Sequence, residues 1–563
     1  MKVILKQISS LEKVRQEDKL NYTEIKKKTV FTGQRYSYQI AVLPSEISTF
    51  NSRLLRISVE SPLKEYIKLY IVKNAVMDYP AYSFCEDEHY ITKTPGLMPD
   101  ILIPIEDTNS IMSINNELAG AVWVRVDIPE NYPKGEYEII VKFKATDPAF
   151  DNNDASMAEI FEAETHMHLV VLGKNLPKQD ILYTQWFYTD CIAQAHNVEI
   201  YSDKHWELID RYMQVASEIG INTLLMPVVT PPLDTMYMTS RPCVQLVDIE
   251  KRDAGYNFDF SKVKRWIQLC KKNGIMYYEI SHLYTQWGSE YAPNIFITEN
   301  GVKKHMFGWH TKADSKEYTD FLNCLIPELI EVLKDEKIDG NTYFHIADEP
   351  KEKHLEAYSK AYNVIRPLIG DIKTFDAISS VSFYKEGLID CPITITTEIE
   401  PFLKCNIDNQ WAYYCCSEHE RVSNRFLAMP SYRNRIIGLQ LYKFGIKGFL
   451  HWGFNYYNSV CSTYTINPFQ TTSADCSFPS GDAFSVYPGK DGALLSIRAL
   501  VFYEALEDIR ACKLLEKYIG KDAVVDLIEK EAGQTLDFGH YPHSADYILS
   551  LREKITNEIS KYL

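Results

Sequence analysis

The pattern of apolar and polar positions changes once along the chain, near residue 175. Before this point, short apolar runs separated by turn residues recur without long helical stretches, for example YSYQIAVLP at 36–44 and AVWVRVDIP at 121–129. Many short strands of this kind are typical of a β-sandwich. The sequence therefore predicts a β-sandwich domain over residues 1–175.

After about residue 178, strand-like runs alternate with helical patterns. Eight candidate strands follow one another at 180–188, 221–228, 274–281, 342–347, 372–378, 392–398, 410–416 and 447–453. The fifth and sixth units are the least distinct. Eight strands alternating with helices favour a (β/α)8 TIM barrel over an open sheet. We therefore predict a multi-domain β plus α/β protein with a catalytic barrel over residues 176–563, including a helical C-terminal extension.

Composition narrows the choice of partners and location. The chain has 60 basic and 76 acidic residues and a net charge of −16, which disfavours nonspecific binding to nucleic acid or anionic membrane. The N-terminal stretch lacks the pattern of a signal peptide, and no apolar run reaches the roughly 18 residues of a membrane span. We therefore expect a cytoplasmic protein with neither of these partners. The oligomeric state stays open, with a homo-oligomer as one option.

The cysteine and glycine patterns bear on cofactors. The 12 cysteines are scattered and show no C-x-x-C spacing, which argues against a structural zinc. The sequence also shows no phosphate-cradling glycine motif. The expectation is therefore a protein without metal and without cofactor.

The most informative segment is NTYFHIADEP, residues 341–350, in which an apolar strand ends on two adjacent acids, Asp348 and Glu349. Pro350 follows, and proline is favoured at the start of a helix. The strand-to-helix rim is where barrel enzymes build active sites. Two carboxyl groups forced together raise one pKa and so provide a proton donor at neutral pH. The alternative is that Glu349 caps the helix and Asp348 is a solvated loop acid.

Other strand ends collect aromatic and polar side chains. Sugar rings have apolar C–H faces edged by hydroxyls, so this inventory suits an oligosaccharide or glycoconjugate substrate. The predicted substrate-binding residues are Trp186, Tyr188, Asp190, His282, Tyr284, His345, Tyr413, Tyr414, Trp452 and Asn455. Neighbouring strand residues point to opposite sides, so only one of Tyr413 and Tyr414 faces the barrel axis. His345 has the alternative of being a satisfied interior histidine.

The motifs as an ordered set resemble the glycoside hydrolase family 123-like proteins, which include the DUF4091 domain proteins. The segments that carry the resemblance are YFHIADEP, FYTDCIA at 187–193, TPPLDT at 230–235, SHLYTQWG at 281–288, YKFGIKGFLHWGFNYYN at 442–458 and the stretch at 481–508. WVRVDIPENYPKGEY is similar to the family's β-sandwich. The resemblance spans nearly the whole chain.

The resemblance implies a retaining β-N-acetylgalactosaminidase in which the substrate's 2-acetamido oxygen attacks the anomeric carbon. The expected cytoplasmic location suggests exo-action on small, imported oligosaccharides. Glu349 would then act as the acid and base, and Asp348 would orient the acetamido N–H. From their placement at the rim, we expect Tyr413 or Tyr414 to position the acetamido oxygen, and Trp186 and Trp452 to be platforms for the sugar ring. This scheme is one of the exceptions to the two-carboxylate mechanism.

Two alternatives remain open from the sequence. In the first, a glycosidase acts on a sugar without an acetamido group, and Glu398 or Glu400 is the enzyme nucleophile. In the second, the protein keeps the fold but only binds carbohydrate, because a fold by itself does not establish activity.

Overall fold

The computed structural model describes residues 3–44, 52–115, 117–146, 162–253 and 255–563. Contacts between Cα atoms divide the chain into two units. The first comprises Met1–Gln179, Ser423–Lys443 and Leu494–Leu563, and the second comprises Asp180–Val422 and Phe444–Ala493. The change at residue 180 lies close to the predicted boundary. The C-terminal helices, which the sequence assigns to the barrel domain, group with the first unit.

The first unit contains two five-stranded sheets. Its strands are β1 (Val3–Ser9), β2 (Lys27–Thr32), β3 (Arg35–Pro44), β4 (Ser52–Glu60), β5 (Ile67–Met77), β6 (Gly96–Pro104), β7 (Ile111–Asn115), β8 (Gly120–Asp127), β9 (Gly135–Thr146) and β10 (Glu162–Asn175). The sheet orders are β1-β3-β8-β5-β6 and β2-β10-β9-β4-β7. Alternate apolar residues of both sheets, such as Ile40 and Val141, share one buried core, which is the arrangement of a β-sandwich.

Fourteen further strands lie in the described residues after residue 180, among them the eight of one parallel sheet. In chain order they are β11 (Leu182–Gln185), β12 (Thr223–Met226), β13 (Asp248–Arg252), β14 (Gly255–Asp259), β15 (Tyr277–Ile280), β16 (Ile295–Glu299), β17 (Val302–Phe307), β18 (Thr342–Phe344), β19 (Lys373–Ile378), β20 (Cys391–Ile395), β21 (Trp411–Tyr413), β22 (Gly448–His451), β23 (Tyr487–Pro488) and β24 (Ala493–Leu494). The order of the parallel sheet is β11-β22-β21-β20-β19-β18-β15-β12. All eight predicted barrel strands are present, although each is shorter than its apolar run.

The parallel sheet curls into a nearly closed barrel. At its two edges, the Asn222 side chain accepts from the Tyr183 N–H at 2.8 Å, and the Asn222 N–H donates to the Tyr183 carbonyl at 3.1 Å. The insertions after β12 and β15 form a separate small sheet of order β14-β13-β16-β17. These insertions, together with the one after β22, leave from the carboxyl ends of the strands, as the sequence predicts.

Helices of very different length lie between the barrel strands and after the last of them. They are α1 (Thr189–Ala195), α2 (Asp203–Glu218), α3 (Ser261–Lys272), α4 (Lys316–Asp335), α5 (Leu355–Ile369), α6 (Ser382–Lys385), α7 (Glu400–Leu403), α8 (Ser431–Arg435), α9 (Ile437–Phe444), α10 (Ile497–Ile519), α11 (Lys521–Ala532) and α12 (Ala545–Ser560). Ser202 and Ser315 cap α2 and α4 by accepting from backbone N–H groups, the role that serine favours. None of the helices in the described ranges is long and apolar enough to cross a membrane.

The regular alternation of a (β/α)8 barrel is incomplete. The fifth and sixth units carry only the four-residue helices α6 and α7, because the connections at 379–390 and 396–410 leave little chain for a helix of several turns. The prediction of eight parallel barrel strands is therefore confirmed, whereas the predicted strand–helix repeat is only partly realised.

Candidate active site

The two adjacent acids lie just beyond the carboxyl end of β18. Residues 345–347 stay buried past the end of the strand, and the Trp287 N–H donates to the Asp348 carbonyl at 2.9 Å. Glu349 has a φ of 44°, in the left-handed region that residues other than glycine rarely adopt. Pro350 disfavours the right-handed helical conformation for the residue before it. The turn therefore presents both acids at the rim, and α5 begins only later.

The two carboxyl groups of the pair have different surroundings. Asp348 is 8% exposed, and burial, followed by the charges of Glu349 and Asp234, raises the pKa of Asp348 well above its usual value. Its Oδ1 atom has no hydrogen-bond partner in the part of the chain that the structure describes. Glu349 Oε1 instead accepts a hydrogen bond of 2.7 Å from the Tyr413 hydroxyl. The raised pKa thus falls on Asp348, whereas the scheme implied by the resemblance needs a proton on Glu349.

Both acids line a cavity of about 180 Å³. This is below the roughly 300–1,000 Å³ of pockets for drug-sized ligands, so the cavity suits a single sugar ring. Its lining includes the acids Asp234, Asp348 and Glu349, the aromatic residues Trp186, Trp287, Tyr413, Trp452 and Phe478, and the thiols of Cys415, Cys416 and Cys461. Acids beside aromatic rings are the combination that a sugar with apolar faces and polar edges requires.

Two of the tryptophans are fixed by buried carboxylates. The Trp186 indole N–H donates to Glu279 Oε2 at 3.2 Å, and the Trp452 indole N–H donates to Asp482 Oδ2 at 2.8 Å. A buried indole usually finds such a partner, which leaves its ring face for apolar contact. Trp287 differs because it is 49% exposed and has a φ of 58°. The cavity therefore has two rigid walls and one exposed ring.

A buried charge network supports the rim from inside the barrel. His345 Nδ1 lies 2.9 Å from Asp376 Oδ1, and Nε2 lies 3.1 Å from Glu279 Oε2. Burial lowers the pKa of His345, but the hydrogen bonds to Asp376 and then Glu279 raise it on balance. Asp376 also accepts from the Tyr358 hydroxyl and from the Ile346 N–H. His345 is therefore held between two carboxyl groups directly before the turn that presents Asp348 and Glu349.

His282 stacks on this histidine, with ring centroids 4.0 Å apart. Burial, and then the charge of His345, lower the pKa of His282 well below its usual value. Within the described ranges, His282, His345 and Asp376 bring ligand atoms to within 4.8 Å of one another. Both nitrogens of His345 already face carboxylates, and nearly parallel stacked rings direct their lone pairs side by side rather than at one ion. Hydrogen bonds to two carboxyl groups hold His345, whereas His282 packs on it and its ring nitrogens have no hydrogen-bond partner among the described residues.

Tyr413 and Tyr414 point in opposite directions, as alternation along a strand requires. Tyr413 lines the cavity. Tyr414 packs against Phe449 and His451, with ring centroids at 4.9 and 5.4 Å. The structure thus answers the question that the sequence left open, and Tyr413 is the tyrosine that faces the acids.

The profile described as the glycoside hydrolase 123 catalytic domain matches residues 186–515, more than half of the chain. The chain belongs to glycoside hydrolase family 123. The resemblance to this family is therefore confirmed, and the protein is a glycoside hydrolase. The matched region contains the adjacent acids, Tyr413 and both fixed tryptophans.

The structure is similar to that of a family 123 glycoside hydrolase from Clostridium perfringens, solved in work on glycolipid glycan hydrolysis. The identity is 16%, the match covers 100% of this chain and 98% of that chain, and the TM-score is 0.73, which shows a shared fold. The E. coli chaperone DraB (8% identity, 27% and 55% covered) and the Salmonella enterica SafB chaperone with SafA pilin (9%, 31% and 57%) have TM-scores of 0.15. TM-scores this low do not indicate a shared fold. No curated protein matches the chain in sequence.

Within this family 123 chain, several predicted substrate-binding residues lie behind the cavity lining. Asp190 is 1% exposed and forms an ion pair with Arg241. The Arg241 guanidinium lies 4.5 Å from the centre of the Tyr188 ring, and the Asn455 side chain bonds both the N–H and the carbonyl of Tyr188. Tyr284 packs edge-on against Tyr318. These residues, like His282 and His345, support the site from a second layer.

The alternative nucleophiles also lie outside the cavity lining. Glu398 and Glu400 are exposed, and Glu400 forms an ion pair with Lys404 at 2.9 Å. A nucleophile must face the anomeric carbon across the pocket from the acid. The structure therefore gives no support to either glutamate in that role.

Three features of the cavity were missed by reasoning from the sequence: Asp234, the Gln286–Trp287 pair and the thiols. Asp234 and Gln286 lie in the quoted motifs TPPLDT and SHLYTQWG, and both motifs lie in insertions at the carboxyl ends of strands. Their position at the carboxyl ends of the barrel strands was the one sign in the sequence that these residues could reach the site. Spacing alone does not show which insertion residues fold back over the barrel.

Proposed function

We propose that this family 123 enzyme is a retaining, exo-acting β-N-acetylhexosaminidase, with β-linked N-acetylgalactosamine as its first sugar, and that the substrate's acetamido group is the nucleophile. One observation carries this proposal. Asp348 Oδ1 is a buried acceptor without a donor among the described residues, and it lines the same cavity as Glu349. Unsatisfied buried polar atoms are rare and call for a partner, and an acetamido N–H would provide one.

In the first step, the acetamido oxygen attacks the anomeric carbon while the glycosidic C–O bond breaks. Glu349 gives its proton to the leaving oxygen, and a cyclic oxazolinium forms on the sugar. An intramolecular nucleophile of this kind has a high effective molarity. No enzyme carboxylate has to form a covalent bond.

In the second step, Glu349 removes a proton from a water molecule that attacks the anomeric carbon and opens the oxazolinium. The acetamido group entered from one face of the ring, and water enters from the opposite face. Two inversions give a product with retained configuration, and Glu349 ends protonated and ready for another cycle.

Substrate binding also explains how the proton reaches Glu349. Without a ligand, the raised pKa belongs to Asp348. An acetamido N–H that donates to Asp348 favours its anionic form and lowers its pKa. The proton of the pair then passes to Glu349, where the leaving oxygen needs it. The Asp348 anion remains to stabilise the positive oxazolinium.

The test is a panel of 4-nitrophenyl β-glycosides that differ only at C2 and C4. We expect turnover of the N-acetylgalactosaminide and no detectable turnover of the β-galactoside, which has a hydroxyl instead of the acetamido group. The N-acetylgalactosamine-derived thiazoline, a stable analogue of the oxazolinium, should inhibit competitively. Efficient cleavage of the galactoside without thiazoline inhibition would rule out acetamido participation.

Tyr413 offers a second test of the same mechanism. Its hydroxyl has one proton, which it donates to Glu349 in the ligand-free protein. In the complex we propose that this proton turns to the acetamido oxygen. Tyr413→Phe should then lower kcat/KM by roughly 10²–10³-fold, the usual cost of losing one donor at a site of developing charge. Tyr414→Phe is the matched control, and equal losses in both variants would contradict the assignment.

The substrate beyond the first sugar is a further part of the proposal. The work on the Clostridium perfringens relative concerns glycolipid glycans, and we propose a glycoconjugate or a derived oligosaccharide for this chain as well. The cytoplasmic location stays a prediction of the sequence, and a homo-oligomer stays one option for the oligomeric state.

A further inference from the structure

Asp234 is a third acid in the cavity that the mechanism does not use. It lines the cavity with Asp348 and Glu349. Its backbone N–H is bonded, but its carboxylate has no hydrogen bond or ion pair among the residues that the structure describes. Burial raises the pKa of Asp234 to about 6, with Arg241 acting to lower it and Glu349 to raise it. A carboxylate left open toward a ligand cavity is available to a ligand.

The backbone around Asp234 is built to hold this orientation. Gln286 Oε1 accepts from the Asp234 N–H at 2.8 Å, and Gln286 Nε2 donates to the Thr235 carbonyl at 3.1 Å. Asp234 has a φ of 48°, a left-handed conformation that persists only where the surroundings enforce it. Gln286 precedes Trp287, whose N–H holds the Asp348 carbonyl. The consecutive residues Gln286 and Trp287 therefore bind the loop with Asp234 and the turn with Asp348, respectively.

The charge of the cavity is one-sided. Its lining has three carboxyl groups and no Lys, Arg or His among the described residues. The cation that acts on Asp234 most strongly, Arg241, is buried and already engaged by Asp190. An anionic substituent entering this cavity would lose water and meet Asp234 and an acid pair that shares one proton, with no cation in the described lining, which is unfavourable in a partly buried site. A sugar hydroxyl, by contrast, is a donor that suits a free carboxylate.

We propose that Asp234 is a specificity residue that accepts hydrogen bonds from ring hydroxyls of the terminal sugar and excludes sugars carrying an acidic substituent. This inference rests on the proposed function and names its substrate class: neutral terminal N-acetylhexosamine, without sulfate ester or carboxylate. Asp234 forms no covalent bond in the reaction. Its contribution is the charge-assisted hydrogen bond and the repulsion.

The experiment compares 4-nitrophenyl β-N-acetylgalactosaminide with its 4-O-sulfate and 6-O-sulfate. For the wild type, kcat/KM for at least one of the two sulfate esters should be lower by about 100-fold or more. Asp234→Asn, which keeps the shape and removes the charge, should lower kcat/KM for the neutral substrate by about 10–100-fold, as expected for one hydrogen bond to a charged group. In the same variant, the ratio of kcat/KM for the neutral substrate to kcat/KM for the excluded sulfate ester should be about 10-fold smaller than in the wild type. Asp248→Asn is the matched control, because it removes one exposed charge from the same insertion, and it should leave the ratio unchanged.

Several outcomes would overturn the proposal. If the wild-type enzyme cleaves both sulfate esters as fast as the neutral glycoside, acidic substituents are not excluded. If the ratio of kcat/KM for neutral and sulfated substrates is unchanged in Asp234→Asn, this residue does not cause the exclusion. Loss of all turnover in Asp234→Asn, with azide restoring it and giving an α-glycosyl azide, would make Asp234 an enzyme nucleophile instead.

A binding measurement separates failure of this inference from failure of the proposed function. If no acetamido glycoside is cleaved, the proposed function fails. Calorimetry with N-acetylgalactosamine, its 4-sulfate and its 6-sulfate still tests the inference. The wild type should bind the neutral sugar more tightly than at least one of the sulfates, and Asp234→Asn should narrow that difference. Equal binding of all three sugars by the wild type would overturn the inference.

Discussion

Replacing Glu349 by Gln should lower kcat/KM for an unactivated β-N-acetylhexosaminide by about 10²–10⁴-fold, the contribution of a positioned general acid. Gln keeps the size of the side chain and still accepts the hydrogen bond from Tyr413, but it has no transferable proton. The leaving oxygen would then depart as an alkoxide. Because the known contacts of Glu349 survive this change, the loss reports chemistry rather than unfolding.

The dependence on leaving group makes this prediction specific. A 2,4-dinitrophenolate needs no proton to depart, so Glu349→Gln should form the oxazolinium from that glycoside at nearly the wild-type rate. The second step still needs a base to activate water. Pre-steady-state kinetics should therefore show a burst, and azide, which attacks without losing a proton, should accelerate turnover and give the β-glycosyl azide.

The matched control is Glu400→Gln, which removes an exposed glutamate paired with Lys404. It should leave kcat/KM within about twofold of the wild type, because exposed ion pairs contribute little. Full activity of Glu349→Gln on the unactivated glycoside would contradict the assignment of the acid. Loss of activity in Glu400→Gln would restore that residue as a nucleophile.

The position of the acid pair could be predicted from the sequence because its signals are local. An apolar strand, two acids and Pro350 follow one another without a gap, and in a parallel barrel the end of a strand fixes the side on which a residue emerges. The same reasoning placed Trp186, Tyr413 and Trp452 at the rim, and all three line the cavity. These side chains leave strands whose direction is set by the barrel.

The rest of the site depends on how the insertions fold. Asp190 sits near a strand end like Trp186, but Arg241, from the insertion after β12, reaches it and pairs with it behind the cavity. Asp234 comes from the same insertion and enters the cavity. No local pattern distinguishes these outcomes, because both depend on contacts between residues about 50 positions apart in the sequence. The raised pKa on Asp348 likewise depends on burial, which the sequence does not give.

The largest expected effect on stability concerns the Asp190–Arg241 pair. Arg241 donates to both oxygens of Asp190 and lies over the Tyr188 ring. The side chains of Arg241 and Asp190 are 3% and 1% exposed. Burial lowers the pKa of Arg241, but Asp190 raises it on balance, so the guanidinium stays charged. Arg241→Met should lower the free energy of unfolding by about 3–5 kcal/mol, because it leaves a buried carboxylate unpaired. Urea unfolding followed by pulse proteolysis measures the change.

Two further variants separate the ion pair from a general effect of losing an arginine. Arg252→Met breaks the exposed pair with Glu250 in the same insertion and should cost at most about 1 kcal/mol. Asp190→Leu combined with Arg241→Met removes both charges, so the double variant should be more stable than Arg241→Met alone. If the double variant is as unstable as the single one, packing of Arg241 on Tyr188 outweighs the charge. If the double variant is more stable than Arg241→Met, the charge of the ion pair matters for the fold. If Asp234→Asn, added to the double variant, still narrows the ratio of kcat/KM for neutral and sulfated substrates, Asp234 selects the sugar independently of the ion pair.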